Sequence, residues 1–516
     1  MGDRASPALE TTSGARPWWE TRWCVALVVL ATTIPLLYPP IPPLVDLFGH
    51  MGRYRVELDL GHSPWLGQYY SFHWAAIGNL GVDLLVLLLA PLIGLEPAVK
   101  LIVLAIPPLT ALGFLWVARE VHGRIPPTAY FALPFIYGFP FLFGFVNFTL
   151  SVALAFLAFG LWLRLGRLDR TTLRSWLFVP ISLVVFFTHT YGWGLLGLLC
   201  FSADAVRVHD RGRRWFRAGI DAALHTSVMA LPIIIMLAWR SETHGGFTSG
   251  WFEWQLKWRW LYAVLRDRWK EYDIASLVVA QLVFAYALLS KKLTLSRNLA
   301  FSAIVLAISY AVLPRIIFGS AYADMRLVPY LFAVALLAIR FRGAPDRRTA
   351  QVLAVLGLAF FAMRIAGNTI SLGMAANDQK AKLEALNLMP EGSRVITLTG
   401  MPCSEYWPML RNSHLGAMVI VRREGFSNDQ WLLEGVNLLD LKYRSAGYFA
   451  ADPSQLVRPR GCRDALHRTI EDSLSALPRS DFDFVWLVDV PPYDPKFVSG
   501  MQPVWRGPGS ILYRTR

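Results

Sequence analysis

Through its first 370 residues the chain alternates long apolar runs with short polar linkers. The runs lie at about 23–38, 98–118, 126–145, 148–165, 176–190, 191–206, 219–239, 273–290, 298–317, 327–341 and 349–370. A helix needs about 20 mostly apolar residues to cross a hydrocarbon core roughly 30 Å thick. The pattern therefore predicts a polytopic α-helical membrane protein with about eleven transmembrane helices. One further stretch, NLGVDLLVLLLAPLIGL at 79–95, is short and carries Asp83 and Pro91.

Lysine and arginine assign the two sides. They cluster at 4–22, 119–124, 164–174, 207–217, 291–297 and 340–348. From 119 onward, consecutive clusters are separated by two apolar runs, so all fall on one side, which the positive-inside rule makes cytoplasmic. The N-terminal cluster joins them only if 79–95 does not fully cross. A re-entrant or surface helix is expected there, within a first external loop spanning 39–97. The other external pieces are 144–148, 188–192, 240–272, 315–326 and the chain beyond about 371. The polar N-terminus precedes an apolar run with no small-residue cleavage site, and reads as a signal anchor.

After 370 the pattern changes. ANDQKAKLEALNL at 376–388 reads as an amphipathic helix closed by Pro390 and Gly392, and β-like runs follow at 394–399, 416–422, 483–490 and 510–514. The chain thus divides into a transmembrane domain, 1–370, and a soluble C-terminal extracytoplasmic α/β domain, 371–516.

Composition narrows the class. Of 516 residues 55% are hydrophobic and 17% charged, too apolar for a soluble chain of this length. The net charge of +14 then reflects topogenic Lys and Arg, so no nucleic-acid partner is implied. Four cysteines are too few for a disulfide framework. Cys24 and Cys200 fall in apolar runs as small buried residues, whereas Cys403 and Cys462 can pair if their part faces an oxidising compartment. A P-loop, a Rossmann fingerprint, GxSxG and HExxH are all absent, which leaves ATP-driven transport and the common soluble hydrolase mechanisms without support.

The polar chemistry gathers in the external pieces. In YPPIPPLVDLFGHMGRYRVELDLGHSPWLGQYYSFHW at 38–75, Asp46, His50 and Arg53 fall on one face of a helix. An acid, an imidazole and a guanidinium at a membrane surface suit a phosphate-linked substrate. Asp46 is a candidate general base toward an acceptor hydroxyl or an oxygen ligand for a divalent metal; otherwise it is a helix N-cap or a partner for Arg53. No cofactor is fixed, because the loop's His, Glu and Asp residues lack a recognised metal spacing. His73 beside Trp74 shapes a sugar or lipid site or packs in the interface. Asn147 reads a sugar hydroxyl or caps the following helix, and His189 contacts a phosphate or is hydrogen-bonded structure. Arg315, Asp324 and Arg326 sit at the external ends of two runs, where a guanidinium suits a phosphate and the alternative is a salt bridge. In WFEWQLKWRWLYAVLRDRW at 251–269, Trp251, Trp254 and Trp258 suit an interfacial helix, either a guide for an isoprenoid chain or a plain anchor.

This layout resembles the GT-C superfamily of integral membrane glycosyltransferases. A first span is followed by a long external loop with an early acid, then by many spans and an extracytoplasmic tail. VDLFGHMGRY resembles the D-x-x-x-H-x-x-R segment of bacterial members, FGFVNFTLS their G-F-x-N-aromatic element, and SHLGAMVIVRREGF their H-L-x-A stretch ahead of a strand. The resemblance implies a polyprenyl-phosphate-linked sugar donor, a glycan, lipid or protein acceptor, and residence in a bacterial inner (plasma) membrane among its lipids. It also implies that Asp46 is the catalytic base or a metal-contacting acid. Many members carry a second acid in the next external loop. Here that loop offers only Asn147, with Asp83 or Glu57 as substitutes, so a divalent metal stays open.

The expected activity is an inverting sugar transfer at the external face, with Arg53, Arg315 or Arg326 holding the donor phosphate. The rivals are a lipid-linked glycan transporter or flippase and a non-catalytic membrane scaffold. A transporter predicts inverted halves and charges buried mid-span, and neither is evident.

Overall fold

The computed structural model describes residues 16–240, 247–343, 345–403, 406–432, 437–462 and 466–516. The first apolar run forms Arg22–Ala31 and Ile34–Leu37, with a break at Thr32–Thr33. It hands the chain to a loop helix, α1 (Leu47–Asp59), and a short strand, β1 (Tyr70–Phe72). The next helix, α2 (Gly81–Ile93), has 13 residues. That is about 20 Å, shorter than the hydrocarbon core. Gly94, at φ +86°, turns α2 directly into α3 (Leu95–His122). α3 packs on α4 (Val146–Arg167), and α4 in turn on α5 (Thr190–Asp210). Further along, α6 (Ala323–Leu337) and α7 (Arg347–Leu383) complete the wall of the bundle.

The expected eleven spans are not all regular long helices. Among the described residues five helices are long and apolar enough to cross a membrane, or six if Trp215–Met229 and Leu231–Ala238, bent by 61° at their junction, form one span. The run at 126–145 departs most from expectation. Pro127–Tyr137 is a 3-10 helix followed by the short helix Phe139–Phe143. Pro127, Pro134 and Pro140 lack the N–H a regular helix uses, and every residue from Pro127 to Tyr137 is buried inside the bundle. The span expected at 349–370 and the amphipathic helix at 376–388 are one continuous helix, α7, whose 37 residues run about 55 Å. Nothing between Leu372 and Ala376 breaks it, because Gly373 is a helical glycine that costs little beside the burial around it.

The C-terminal part is built on β2 (Arg394–Gly400), β3 (Phe426–Ser427), β4 (Leu439–Leu441), β5 (Leu456–Val457), β6 (Phe484–Val488), β7 (Gln502–Gly507) and β8 (Ser510–Arg514). The main sheet runs β3-β2-β6-β8-β7, with β5 also pairing β2. β2 is parallel to β3, β5 and β6, whereas β8 is antiparallel to both β6 and β7. The run at 416–422, expected as a strand, is instead α8 (Met418–Arg423). Met418 to Val421 are all buried against α1, so no period-two pattern exists, and a short apolar run does not distinguish a strand from a buried helix turn.

Three features lock this part onto the membrane bundle. β1 of the first loop pairs antiparallel with β4, Tyr70 opposite Leu441. α1 packs on α8 and, at two glycines, on the segment after β3: a Cβ on Gly49 would lie 2.5 Å from the Trp431 ring and one on Gly52 2.5 Å from Gln430 Nε2. A buried polar network forms the third. Arg364 pairs with Asp273 at 2.7 Å and donates to the Leu265 carbonyl at 2.9 Å. Asp273 also accepts from Trp407 Nε1 at 2.8 Å. Asp267 pairs with Arg411 at 2.5 Å and accepts from Ser371 at 2.9 Å. Arg411 reaches on to the Pro43 carbonyl. Cys403 and Cys462 are paired as a disulfide, Cys200 is buried and Cys24 half-buried.

Removing one partner of a buried pair strands the other charge. Arg364→Met should lower stability by about 3–5 kcal/mol, and adding Asp273→Leu should return a large part of that loss. Thermal unfolding of the detergent-solubilised single and double variants checks both statements.

Candidate active site

Asp46 is placed by backbone rather than by its side chain. The proline-rich exit at 39–43 leads to Val45 and Asp46, whose N–H groups donate to the carbonyls of Leu142 at 3.3 Å and Phe143 at 2.9 Å. The facing turn depends on Gly144, at φ +100°, where a Cβ would stand 2.8 Å from Asp46 N. Asp46 occupies the N-cap position of α1 without a side-chain capping bond, and Arg53 pairs elsewhere. Both structural alternatives for this carboxylate are therefore set aside.

The carboxylate meets the C-terminal part of the chain. His414 Nε2 lies 3.8 Å from Asp46 Oδ1 and 3.9 Å from Asp452 Oδ1. Its Nδ1 is 3.1 Å from the Asp429 carbonyl, an acceptor, so Nδ1 carries the proton and Nε2 faces the two acids with a lone pair when the ring is neutral. Burial pushes the Asp46 carboxyl well above the usual carboxylate range, with Asp452 adding to the rise and Arg326 opposing it. Burial likewise pushes His414 down, against the pull of Asp452. Asp429 is raised to about 8 by the same desolvation. Burial in this pocket therefore disfavours the charged form of its acids and its imidazoles alike. His50 sits one turn along α1, its ring 5.0 Å from Trp431, which also contacts His414 at 4.5 Å. Burial, then Arg53, His414 and Arg326, keep His50 neutral.

Arg326 completes the cluster from the N-terminal turn of α6. Its guanidinium stands 3.3 Å from His189 Nε2, donates to the Ala321 carbonyl at 3.2 Å, and lies over the rings of Phe145 at 4.4 Å and Tyr191 at 4.9 Å. The residue is 7% exposed. Among the described residues no carboxylate lies within 4.0 Å of it, and its Nε has no partner. A buried guanidinium framed by aromatic faces and without a counter-ion is a seat for an anion.

The other expected site residues fall outside this centre. Arg53 pairs with Asp83 at 2.6 Å, and Asn147 donates to Asp83 at 3.0 Å while accepting from Val82 N at 2.5 Å. Asn147 thus clasps the start of α2, and Asp83 is held by two donors rather than open to a ligand. Glu57, beside them on α1, is pushed up to about 8 by burial and Asp83. Asp324 pairs with buried Lys257 at 3.4 Å, and Lys257 also donates to the Tyr310 and Leu313 carbonyls. Arg315 lies 3.7 Å from Glu253 and about one-third exposed. His73 is exposed, 4.0 Å from Asp440. Trp251, Trp254 and Trp258 are all more than half exposed, on or next to the helix Trp254–Tyr262. Among the described residues no three His, Cys, Asp or Glu side chains are grouped to hold a metal ion.

The sequence reading missed Asp429, Trp431 and Asp452, and took the stretch containing His414 only as a motif. Their shared signal is position. His414 comes from the connection after β2, Asp429 and Trp431 directly follow β3, and Asp452 sits on the approach to β5. Crevices at the carboxyl ends of parallel strands are where open α/β sheets bind ligands.

The architecture matches that of ArnT from Cupriavidus metallidurans in the apo state, at 13% identity over 95% of this chain and 97% of that one, with a TM-score of 0.50. ArnT from the same organism bound to undecaprenyl phosphate is similar at 12% identity over 96% and 98%, with a TM-score of 0.47. No protein-family model matches the sequence, and no curated protein matches it. The chain therefore has the fold of ArnT, and the resemblance drawn from the first loop and the span layout holds at the level of fold.

Gly144→Ala should cost at least about 1–2 kcal/mol from the left-handed backbone alone, with more from the contact on Asp46 N. Unfolding of the purified variant, compared with Gly123→Ala at an open left-handed site, separates the two contributions.

Proposed function

We propose that this chain is a membrane glycosyltransferase that moves a sugar from a polyprenyl-phosphate-linked donor to an acceptor hydroxyl at the external membrane face, with inversion. The observation that carries this reading is the buried, unpaired Arg326 set beside the desolvated Asp46. An acid and a seat for an anion at one buried point suit the chemistry at both ends of a glycosyl phosphate.

In this reading the acceptor oxygen attacks the anomeric carbon from the face opposite the phosphate. Its proton passes to Asp46 as the new C–O bond forms. The bond from the anomeric carbon to the phosphate oxygen breaks, and its electron pair stays on the phosphate, where Arg326 meets the growing charge. Burial, with the carboxylate of Asp452 beside it, holds Asp46 at a raised proton affinity, which suits a base. No step is routed through a metal. The Cys403–Cys462 disulfide supports placing the C-terminal domain in an oxidising, external compartment. An apolar groove of about 430 Å³ lined by Ile34, Phe361, Ile365 and Ile370 flanks the helix that leads to the first loop, and suits an isoprenoid tail.

Asp46→Asn should abolish transfer, at least about 10²-fold, while leaving expression intact. Lipid-linked and surface glycans compared by mass spectrometry give the readout, and a wild-type glycan profile in the variant overturns the mechanism. The pH dependence supplies a second check. Asp46 works as the carboxylate, so the rate should rise as pH climbs through its raised value. Asp452→Asn removes a carboxylate that raises it and should shift that limb to lower pH, read from the rate profile of the purified enzyme.

A further inference from the structure

We infer that the bundle carries a second anion site, for a phosphate group, at the end opposite Asp46. α4 runs from Asn147, beside the candidate active site, to Arg167, and α5 runs from the His189 turn to Arg207 and beyond. Each places about 30 Å of helix between the two ends. At the far end a cavity of about 510 Å³ opens between these helices and the segments near 296–298 and 340.

Six arginines line it: Arg167, Arg174, Arg207, Arg211, Arg297 and Arg340. Four carboxylates do so too: Glu120, Asp169, Asp204 and Asp210. Arg167 pairs with Glu120 at 2.7 Å, Arg174 with Asp204 at 2.9 Å and Arg297 with Asp210 at 2.5 Å. Arg207 and Arg211 share the single Asp169, each at 2.7 Å. Six cations against four anions leave two positive charges without a carboxylate of their own, and Arg340 has none within 4.0 Å among the described residues. Two lining residues also carry a buried N–H without a partner. These are Nε of Arg174, 3% exposed, and Nε1 of Trp162, 1% exposed, whose ring the Arg174 guanidinium covers at 3.8 Å.

Arginines that only set topology sit in solvated linkers and need neither a cavity nor buried donors. A double positive excess gathered around one cavity fits a phosphate, which offers charge and several acceptor oxygens together. The depth indicates where it comes from. Trp176, Trp215 and Phe216, within a few residues of this arginine set, are exposed, as aromatic residues at headgroup level are. The ligand class is therefore a phosphate-bearing headgroup of an anionic phospholipid, with a free phosphate as the other source of the same chemistry. This site stands independently of the proposed glycosyl transfer.

Native mass spectrometry of the purified full-length protein in a neutral detergent tests it. The probes are phosphatidylglycerol, phosphatidylcholine and inorganic phosphate, each added separately. Phosphatidylglycerol should form a bound species at least tenfold more abundant than phosphatidylcholine. The double variant Arg207→Gln/Arg211→Gln, and separately the exposed-strand variant Arg340→Gln, should reduce it several-fold while remaining monodisperse. Retention of inorganic phosphate, lost in the same variants, keeps the site and assigns it to a free phosphate. Equal binding of the two lipids without phosphate retention, or unchanged binding in a monodisperse Arg340→Gln, overturns the inference.

Discussion

Withdrawal of charge from water is the constraint on which the candidate site rests. Asp46, His414 and Arg326 are buried and His50 is half-buried, and isolated charges in such surroundings cost several kcal/mol each. At this point the acids and imidazoles are gathered within about 4 Å of one another instead of each being neutralised by a close fixed partner. Backbone does the positioning: the carbonyls at 142–143 hold Asp46, the Asp429 carbonyl fixes the tautomer of His414, and Gly49 on α1 lets Trp431 close over both histidines.

Elsewhere in the bundle the same cost is met in the opposite way. Arg364 with Asp273, Arg174 with Asp204, Lys257 with Asp324 and Arg53 with Asp83 are close, buried pairs. Such pairs contribute less to net stability than to register, since a misplaced neighbour leaves a bare charge. Arg326 differs from all of them. It is as buried as they are, but its surroundings are aromatic faces and a histidine rather than a carboxylate. That contrast, more than any motif, sets Arg326 apart from the structural cations and makes it a candidate for binding an anion.

Much of the first half of the site was legible in the sequence. Asp46 and His50 share a helix face through simple periodicity, and positive charge in the linkers grouped the mouths that bring His189 and Arg326 nearby. The same pattern gave Arg53, Asn147 and Asp324 equal standing, because sequence shows which groups are polar but not which are already paired. The second half lies more than 360 residues away, at the ends of very short strands, where no periodic signal exists. The irregular helix at Pro127–Tyr137 was equally hidden, since hydropathy counts apolar residues and ignores how prolines rearrange the hydrogen bonds of a buried segment.

The unbroken α7 has a mechanical consequence. It outruns the hydrocarbon core by about 25 Å, so one rigid rod belongs to both compartments. Its outer part holds the chain leading to His414: Gln379 donates to the Arg411 carbonyl at 2.8 Å, and Asn412 donates to Asp378 at 2.8 Å. A helix adapts to bilayer thickness by tilting, and ten degrees of tilt swings the end of a rod this long by about 10 Å. Arg411, clasping the Pro43 carbonyl, ties that rod to the proline-rich exit ahead of Asp46, so His414 and Asp46 are referred to one frame when it tilts.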